Sequence, residues 1–331
     1  MTPTIALLGD VMLGRTVGER LAEVPPEEVW APEVRELCRS CDLVVCNLEC
    51  CISSRGEPTA RIRGKPFFFR GPPQAVGSLK AIGVRAVGLA NNHALDYEAE
   101  ALTETLELLG EAGIAVAGAG PGESKARSGA IVEAAGLRVG LVAVSDHPRE
   151  FAAGRDAAGI AYGNLRRGAP GWLTDELARL AAACDRVVAF PHWGPNMTTE
   201  PADWQRRTAE GLQRAGADLV AGHSAHVFHG AGWGPRGPLL FDLGDALDDY
   251  AVDGRLRNDL GVIALWRPGD SESELELVGL TLDFCHTRLA DGADAEWIAQ
   301  RLTRACEPLG ARAERLAEQR FRVVPVNPPQ A

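Results

Sequence analysis

Along the first 250 positions, short apolar runs alternate with stretches whose apolar side chains recur every three or four residues. The runs Thr4–Leu8, Asp42–Leu48, Ala86–Ala90, Ile114–Ala117, Arg186–Phe190 and Leu219–Ala221 are too short for helices and read as buried strands. Helical spacing predicts helices over 32–41, from Gly71-Pro72-Pro73 to the stop at Gly83, and over 98–112, 174–183 and 201–215. This alternation predicts an α/β fold. Residues 129–144 read as a hairpin turning at Ala135-Gly136, and 259–267 with 274–284 as antiparallel strands. The segment 146–171, rich in Gly and Ala, reads as a mobile loop over a site, with His147 as a possible substrate contact. From about 294 to 320 the chain reads as helical and charged, followed by a Pro-rich tail.

The polar residues that end the runs carry the chemistry. Asp10 follows Gly9, Glu49 follows Leu48, and Asn91-Asn92-His93 follow Ala90. His192 follows Pro191, His223 and His226 follow Gly222, and Asp245 follows Leu243-Gly244. Carboxyl ends of strands in one α/β sheet layer converge, so side chains over two hundred positions apart can meet. Each residue has a plainer explanation taken alone: Asp10 could cap a helix at 16–23, and the imidazoles could lie on a surface loop. Their recurrence at successive strand ends favours one site. Asp10, Glu49, Asn92, His192, His223 and His226 form a mixed N/O set that suits a pair of Mn, Fe or Zn ions. One carboxylate must bridge if six ligands serve two ions. Such a pair polarises a substrate oxygen and a water, and a histidine outside the ligand set can protonate a leaving group.

The net charge of −11 opposes nucleic acid or an anionic membrane as the main partner. Arg55, Arg61, Arg63, Lys65 and Arg70 around Phe67-Phe68-Phe69 read either as a solvated loop or as an anion-binding rim. The opening residues lack a basic n-region, and no apolar run is long enough to span a bilayer, so a cytoplasmic protein without a membrane anchor is expected. The eight cysteines are then expected to be reduced, and Cys38 with Cys41 lacks the second CxxC of a zinc site. Gly118–Gly122 lacks the Lys of a phosphate-binding loop.

The stretches GDVMLGR (9–15), NLE (47–49), FFFRGPP (67–73), GLANNHALDY (88–97), HWG (192–194), GADLVAGHSAHV (216–227) and DLGD (242–245) resemble the bacterial capsule-synthesis family typified by CapA and PgsA. That family is associated with poly-γ-glutamate, and its fold resembles the calcineurin-like metallophosphoesterases. The resemblance implies a four-layer α/β/β/α sandwich over residues 1–290, with 291–331 as a helical extension packed on the same domain. It implies that Asp10 and His226 hold one ion, that Asn92, His192 and His223 hold the other, and that Glu49 bridges them. His93 would be the acid or transition-state stabiliser, and Arg15, Arg70, Trp193, Ser224 and Asp245 would contact substrate. Met12 stands where a metallophosphoesterase has the His of Asp-x-His, which implies a weakly held first ion. Ser224 and Ala225 replace a His-Pro pair, Glu98 follows Tyr97 where Gly is usual, Asn196-Met197 replace Glu-Tyr, and Asp245 replaces Asn. The function implied is a dinuclear metal-dependent hydrolase acting on a phosphoester or a γ-glutamyl amide of a small molecule or peptide. The alternative is an accessory component of poly-γ-glutamate or capsule synthesis that binds without turnover.

Overall fold

The computed structural model describes residues 2–269 and 273–326, and the end of the Pro-rich tail, 327–331, lies outside the described residues. Two sheets pack face to face. The first is organised on strand Ile5–Val11, which pairs in parallel with Leu43–Leu48, followed outward by Val84–Gly88 and Ala115–Ala117. On its other side Leu260–Arg267 and Glu274–Asp283 run antiparallel. In the second sheet Leu137–Ser145, Arg186–His192, Leu219–Ala221 and Pro238–Leu240 are parallel neighbours, with hairpin partners at the edges.

Strand side chains alternate between faces, and the second-sheet strands are apolar throughout because both faces are covered. Val188 and Phe190 join the core shared with the first sheet, whereas Val187 and Ala189 pack with Leu173, Leu177, Leu180 and Leu212. Those leucines lie on the outer helices Gly171–Ala183 and Asp203–Arg214. Helices Val76–Ala81 and Glu98–Glu111 cover strands of the first sheet. The order is therefore helix, sheet, sheet, helix, the four layers the family resemblance implies. The sheets meet closely at Gly88, where a Cβ would lie 2.7 Å from the Phe190 ring.

Three sequence expectations change. The helix at the C-terminal end spans only Gly292–Cys306 and packs against strands of both sheets. Gly310, at φ 70°, turns the chain into the strands Ala311–Ala317 and Arg320–Pro325, which extend the first sheet beside Glu274–Asp283. Buried Phe321 and Val323 alternate with exposed Arg322, a period-two signal outweighed in the sequence by the helix-favouring Ala, Arg and Glu before it. The segment 146–171 is anchored rather than free: Gly159–Ile160 pairs with Ala119–Gly120, and Phe151, Ile160 and Leu165 are buried. The basic loop 53–70 is also tied down. Arg61 pairs with Glu98 at 2.7 Å, Arg55 reaches Glu104 at 3.7 Å, and Lys65 meets Asp96 at 3.1 Å. Among the described residues, no helix is long and apolar enough to cross a membrane. Cys38 is buried at the end of helix Pro32–Arg39, and all eight cysteines are free thiols.

Candidate metal centre

Both sheets direct the carboxyl ends of their parallel strands to one rim. Asp10 is the penultimate residue of its strand and lies in register with Asp245, whose short strand pairs in parallel with it. Gly9 makes this possible: a Cβ there would lie 1.8 Å from the Gly244 carbonyl oxygen. In the second sheet His192 ends its strand and bridges in parallel to His223, just beyond Leu219–Ala221. The loop then carries Ser224 and His226 at φ 116° and 57°, conformations that non-glycine residues seldom adopt. Such local strain clusters at functional sites.

Two donor sets result, each compact enough for one cation. Asp10, His192 and His223 form one, and Asp10, Glu49, His226 and Asp245 form the other. Asp10 Oδ1 is 3.3 Å from His223 Nδ1, while its Oδ2 is 3.7 Å from His226 Nδ1. His226 Nδ1 lies 2.8 Å from Asp245 Oδ1, and its Nε2 lies 3.9 Å from Glu49 Oε1. The shared carboxylate is thus Asp10, where the sequence reading assigns the bridge to Glu49. Asp245, expected to touch substrate, is a member of the second set. The Met12 side chain is buried, with its sulfur accepting the Gly14 N–H at 3.0 Å.

The polar atoms of the two sets fit a cation. Asp10 Oδ2, Glu49 Oε1, His192 Nε2, His223 Nε2 and Asp245 Oδ2 are all buried without a hydrogen-bond partner, and so is Oδ1 of the expected ligand Asn92. Leaving so many acceptors and carboxylates unpaired is costly unless a metal binds them. Electrostatics agree. Burial, reinforced by Asp10, pushes the Glu49 carboxyl well above its ordinary range. Burial also raises Asp245, although His226 opposes it, and raises Asp248, which Asp245 reinforces. Burial raises Asp10 most strongly, yet the hydrogen bond and charge of His223, with help from His226 and Asn47, bring it below the usual carboxylate value. Burial depresses His226, but Asp245 and Glu49 outweigh it and hold the ring well above an ordinary imidazole. Burial and His223 hold His192 far below, as a neutral donor.

A second layer orients these groups. Asn47 donates to Asp10 Oδ1 at 2.6 Å, and Tyr250 O–H donates to Glu49 Oε2 at 3.1 Å. Asn91, the neighbour of the expected ligand Asn92, donates to Asn47 Oδ1 and the Leu48 carbonyl and accepts the His93 N–H. His93 Nδ1 lies 2.5 Å from Asp96 Oδ2, and its ring stacks on Phe69 at 3.8 Å. Burial, opposed by Asp96, holds His93 down to about 4. Sequence reading missed Asn47, Asp96, Asp248 and Tyr250. Asn47 and Asp96 nonetheless lie within the NLE and GLANNHALDY stretches.

The other expected contacts separate. Arg15 lies at the rim, 3.4 Å from Asp249 and over the rings of Phe67, Phe69 and Tyr250. Arg70 is used in the fold, donating to the Arg55 and Gly56 carbonyls over the Tyr97 ring. Trp193 is fully buried in the second-sheet core, its indole N–H donating to the Phe241 carbonyl at 2.9 Å. Ser224 is buried, with its hydroxyl donating to the Gly194 carbonyl at 3.4 Å. The His147 ring pairs with Asp146 and lies 5.2 Å from the His192 ring.

A family profile described as "Bacterial capsule synthesis protein PGA_cap" matches residues 4–250. The "Probable polyglutamine synthesis accessory protein MT0602" of Mycobacterium tuberculosis is 30% identical, over 97% of this chain and 96% of its own length. The "Capsule biosynthesis protein CapA" of Bacillus anthracis is 26% identical over 74% of this chain, which spans 60% of that protein's length. A solved structure, a hypothetical protein from Thermus thermophilus, gives a TM-score of 0.45 at 16% identity, covering 86% of this chain and 96% of that one.

Proposed function

The chain belongs to the bacterial capsule synthesis family PGA_cap, and from that membership we propose that it is a dinuclear metal-dependent hydrolase acting on a phosphoester or a γ-glutamyl amide. One observation carries this reading: Asp10 is common to two buried donor sets. Asp10, His192 and His223, with Asn92, would hold one ion, and Asp10, Glu49, His226 and Asp245 the other. Mn, Fe or Zn suits such an N/O set. When bound, a pair of this kind supplies Lewis-acid polarisation and a water acidic enough to ionise near neutral pH.

The residues of the chain do the rest. Asp96 accepts the Nδ1–H of His93 and fixes the tautomer, so that Nε2 can take up a proton and deliver it to the leaving oxygen or nitrogen. Lys65 balances the Asp96 charge, and stacking on Phe69 fixes the ring plane. Arg15 supplies positive charge at the rim for an anionic substrate.

The test is metal analysis of the full chain, joined to a screen of phosphomonoesters, phosphodiesters and γ-glutamyl amides. We expect two ions per chain and turnover of one class. His93→Ala should keep both ions and lose turnover by about 10²–10⁴-fold. The word "accessory" in the name of the 30% identical relative favours a second reading, binding of polymer without hydrolysis. A fully loaded protein that hydrolyses none of the panel would favour that second reading, and a chain that takes up no metal would end the first.

A further inference from the structure

The loop that carries His223 and His226 ends at Gly230, and there it lines a cavity of about 430 Å³ that contains none of the metal-centre residues. Arg206, Arg255, Arg301 and Arg304 converge on it, and Glu200 is the one acid in its lining. Among the described residues, none of the four is salt-bridged to a carboxylate. Arginines elsewhere, such as Arg61, Arg179, Arg257 and Arg288, are matched with acids at 2.6–2.9 Å. In a chain of net charge −11 the four guanidinium groups give this cavity a locally positive lining.

Arg301 indicates what the cavity is built for. Its residue is only 8% exposed. The Nε donates to the Phe228 carbonyl at 3.0 Å and Nη1 to the Leu256 carbonyl at 3.4 Å, and the guanidinium lies over the Phe228 and Trp297 rings at 4.9 and 5.2 Å. These contacts fix its plane but leave Nη2 buried without a partner. Arg206 repeats the pattern: Nη1 donates to the Pro308 carbonyl at 3.3 Å, and Nε is buried and unpartnered. Rigid guanidinium forks with free N–H groups match the paired oxygens of carboxylate and phosphate. One negative charge would leave most of this cationic field unanswered, and the cavity is large enough for a metabolite.

We propose that this cavity is a second binding site, specific for a small, multiply charged oxyanion of metabolite size. The ligand is a phosphate ester or a dicarboxylate, held chiefly by Arg301 and Arg206 within and by Arg255 and Arg304 at the mouth. The site is independent of whether the metal centre hydrolyses anything.

The experiment titrates inorganic phosphate and, separately, the dipeptide γ-glutamylglutamate into the metal-loaded full chain and into the double variant Arg255→Gln/Arg304→Gln, by calorimetry at low salt. Both substituted residues are exposed, so the fold is spared, whereas Arg301 is stacked in the interior. Binding of either probe at the metal centre is common to both proteins and cancels. Saturable binding of at least one probe, weakened tenfold or more in the variant with metal content unchanged, supports the site, and the preferred probe identifies phosphate or carboxylate as its ligand chemistry. Equal binding by the two proteins, or no binding of either probe by the wild type, overturns it.

Discussion

In one donor set Asp10 meets two imidazoles at the strand ends of the second sheet; in the other it meets two further carboxylates, Glu49 and Asp245, and the imidazole of His226. Burial acts on both sets but with opposite results. It keeps His192 neutral, which is the state in which an imidazole ligates. On the other side it forces Glu49 and Asp245 upward, because several buried carboxylates cannot all ionise without compensation. The imidazole half therefore offers a neutral donor in His192, whereas the carboxylate half would need a cation to ionise fully. Among the described residues Asp10 is the donor common to both sets.

Breaking that tie should have the largest effect. Asp10→Asn keeps the shape and removes the shared charge, so metal analysis should find both ions lost and activity reduced on the order of a thousandfold. Retention of one full equivalent would mean that the sets are independent. Next come variants that sharpen the contrast. His223→Ala should lose the ion of the imidazole half and all turnover. Asp245→Asn should keep two sites but weaken the carboxylate half, read by competition with a chelator. Equal losses in the two variants would erase the distinction.

The smallest effect concerns an imidazole outside both sets. His229 is buried with its Nε2–H donated to the Thr198 carbonyl at 3.0 Å, and burial pulls it down to about 4. The folded chain resists protonation there while the unfolded chain accepts it near 6.5. His229 thus contributes stability that is complete above about 6.5 and lost as pH falls toward about 4, at about 1.4 kcal/mol per pH unit at most. Urea denaturation at several pH values should show a shallower acid loss in His229→Gln than in the wild type. Parallel curves would show that His229 is not linked to folding.

Much of this was legible in the sequence, because a strand buried on both faces is a continuous apolar run and its polar terminus stands out. Asp10, Glu49, His192, His223 and His226 were visible in that way. What escaped depended on register between distant strands. Asp245 ends a Gly-Asp pair like Gly9-Asp10, but only the parallel pairing of the two places it beside His226. The identity of the shared carboxylate turns on ångström-scale placement of Asp10 against Glu49, which spacing along a chain does not encode. Trp193 suits a pocket by residue type, but its indole N–H donates to the Phe241 carbonyl within the second-sheet core, and Arg70 Nη1 donates to the Arg55 and Gly56 carbonyls of its own loop. The closing hairpin was hidden for another reason: the residues of Ala311–Ala317 favour a helix, and pairing along the sheet edge overrides that preference.

The contact between Gly9 and the Gly244 carbonyl separates two properties that are usually entangled. The span of the centre is set by main chain against main chain, with no side chain to compress or lengthen it. Its charge is set one position further along each strand, at Asp10 and Asp245. Exchanging Asp for Asn at 245 would therefore change the charge of the centre while the framework stays in place, whereas a side chain at position 9 would meet the Gly244 carbonyl and wedge the two strands apart.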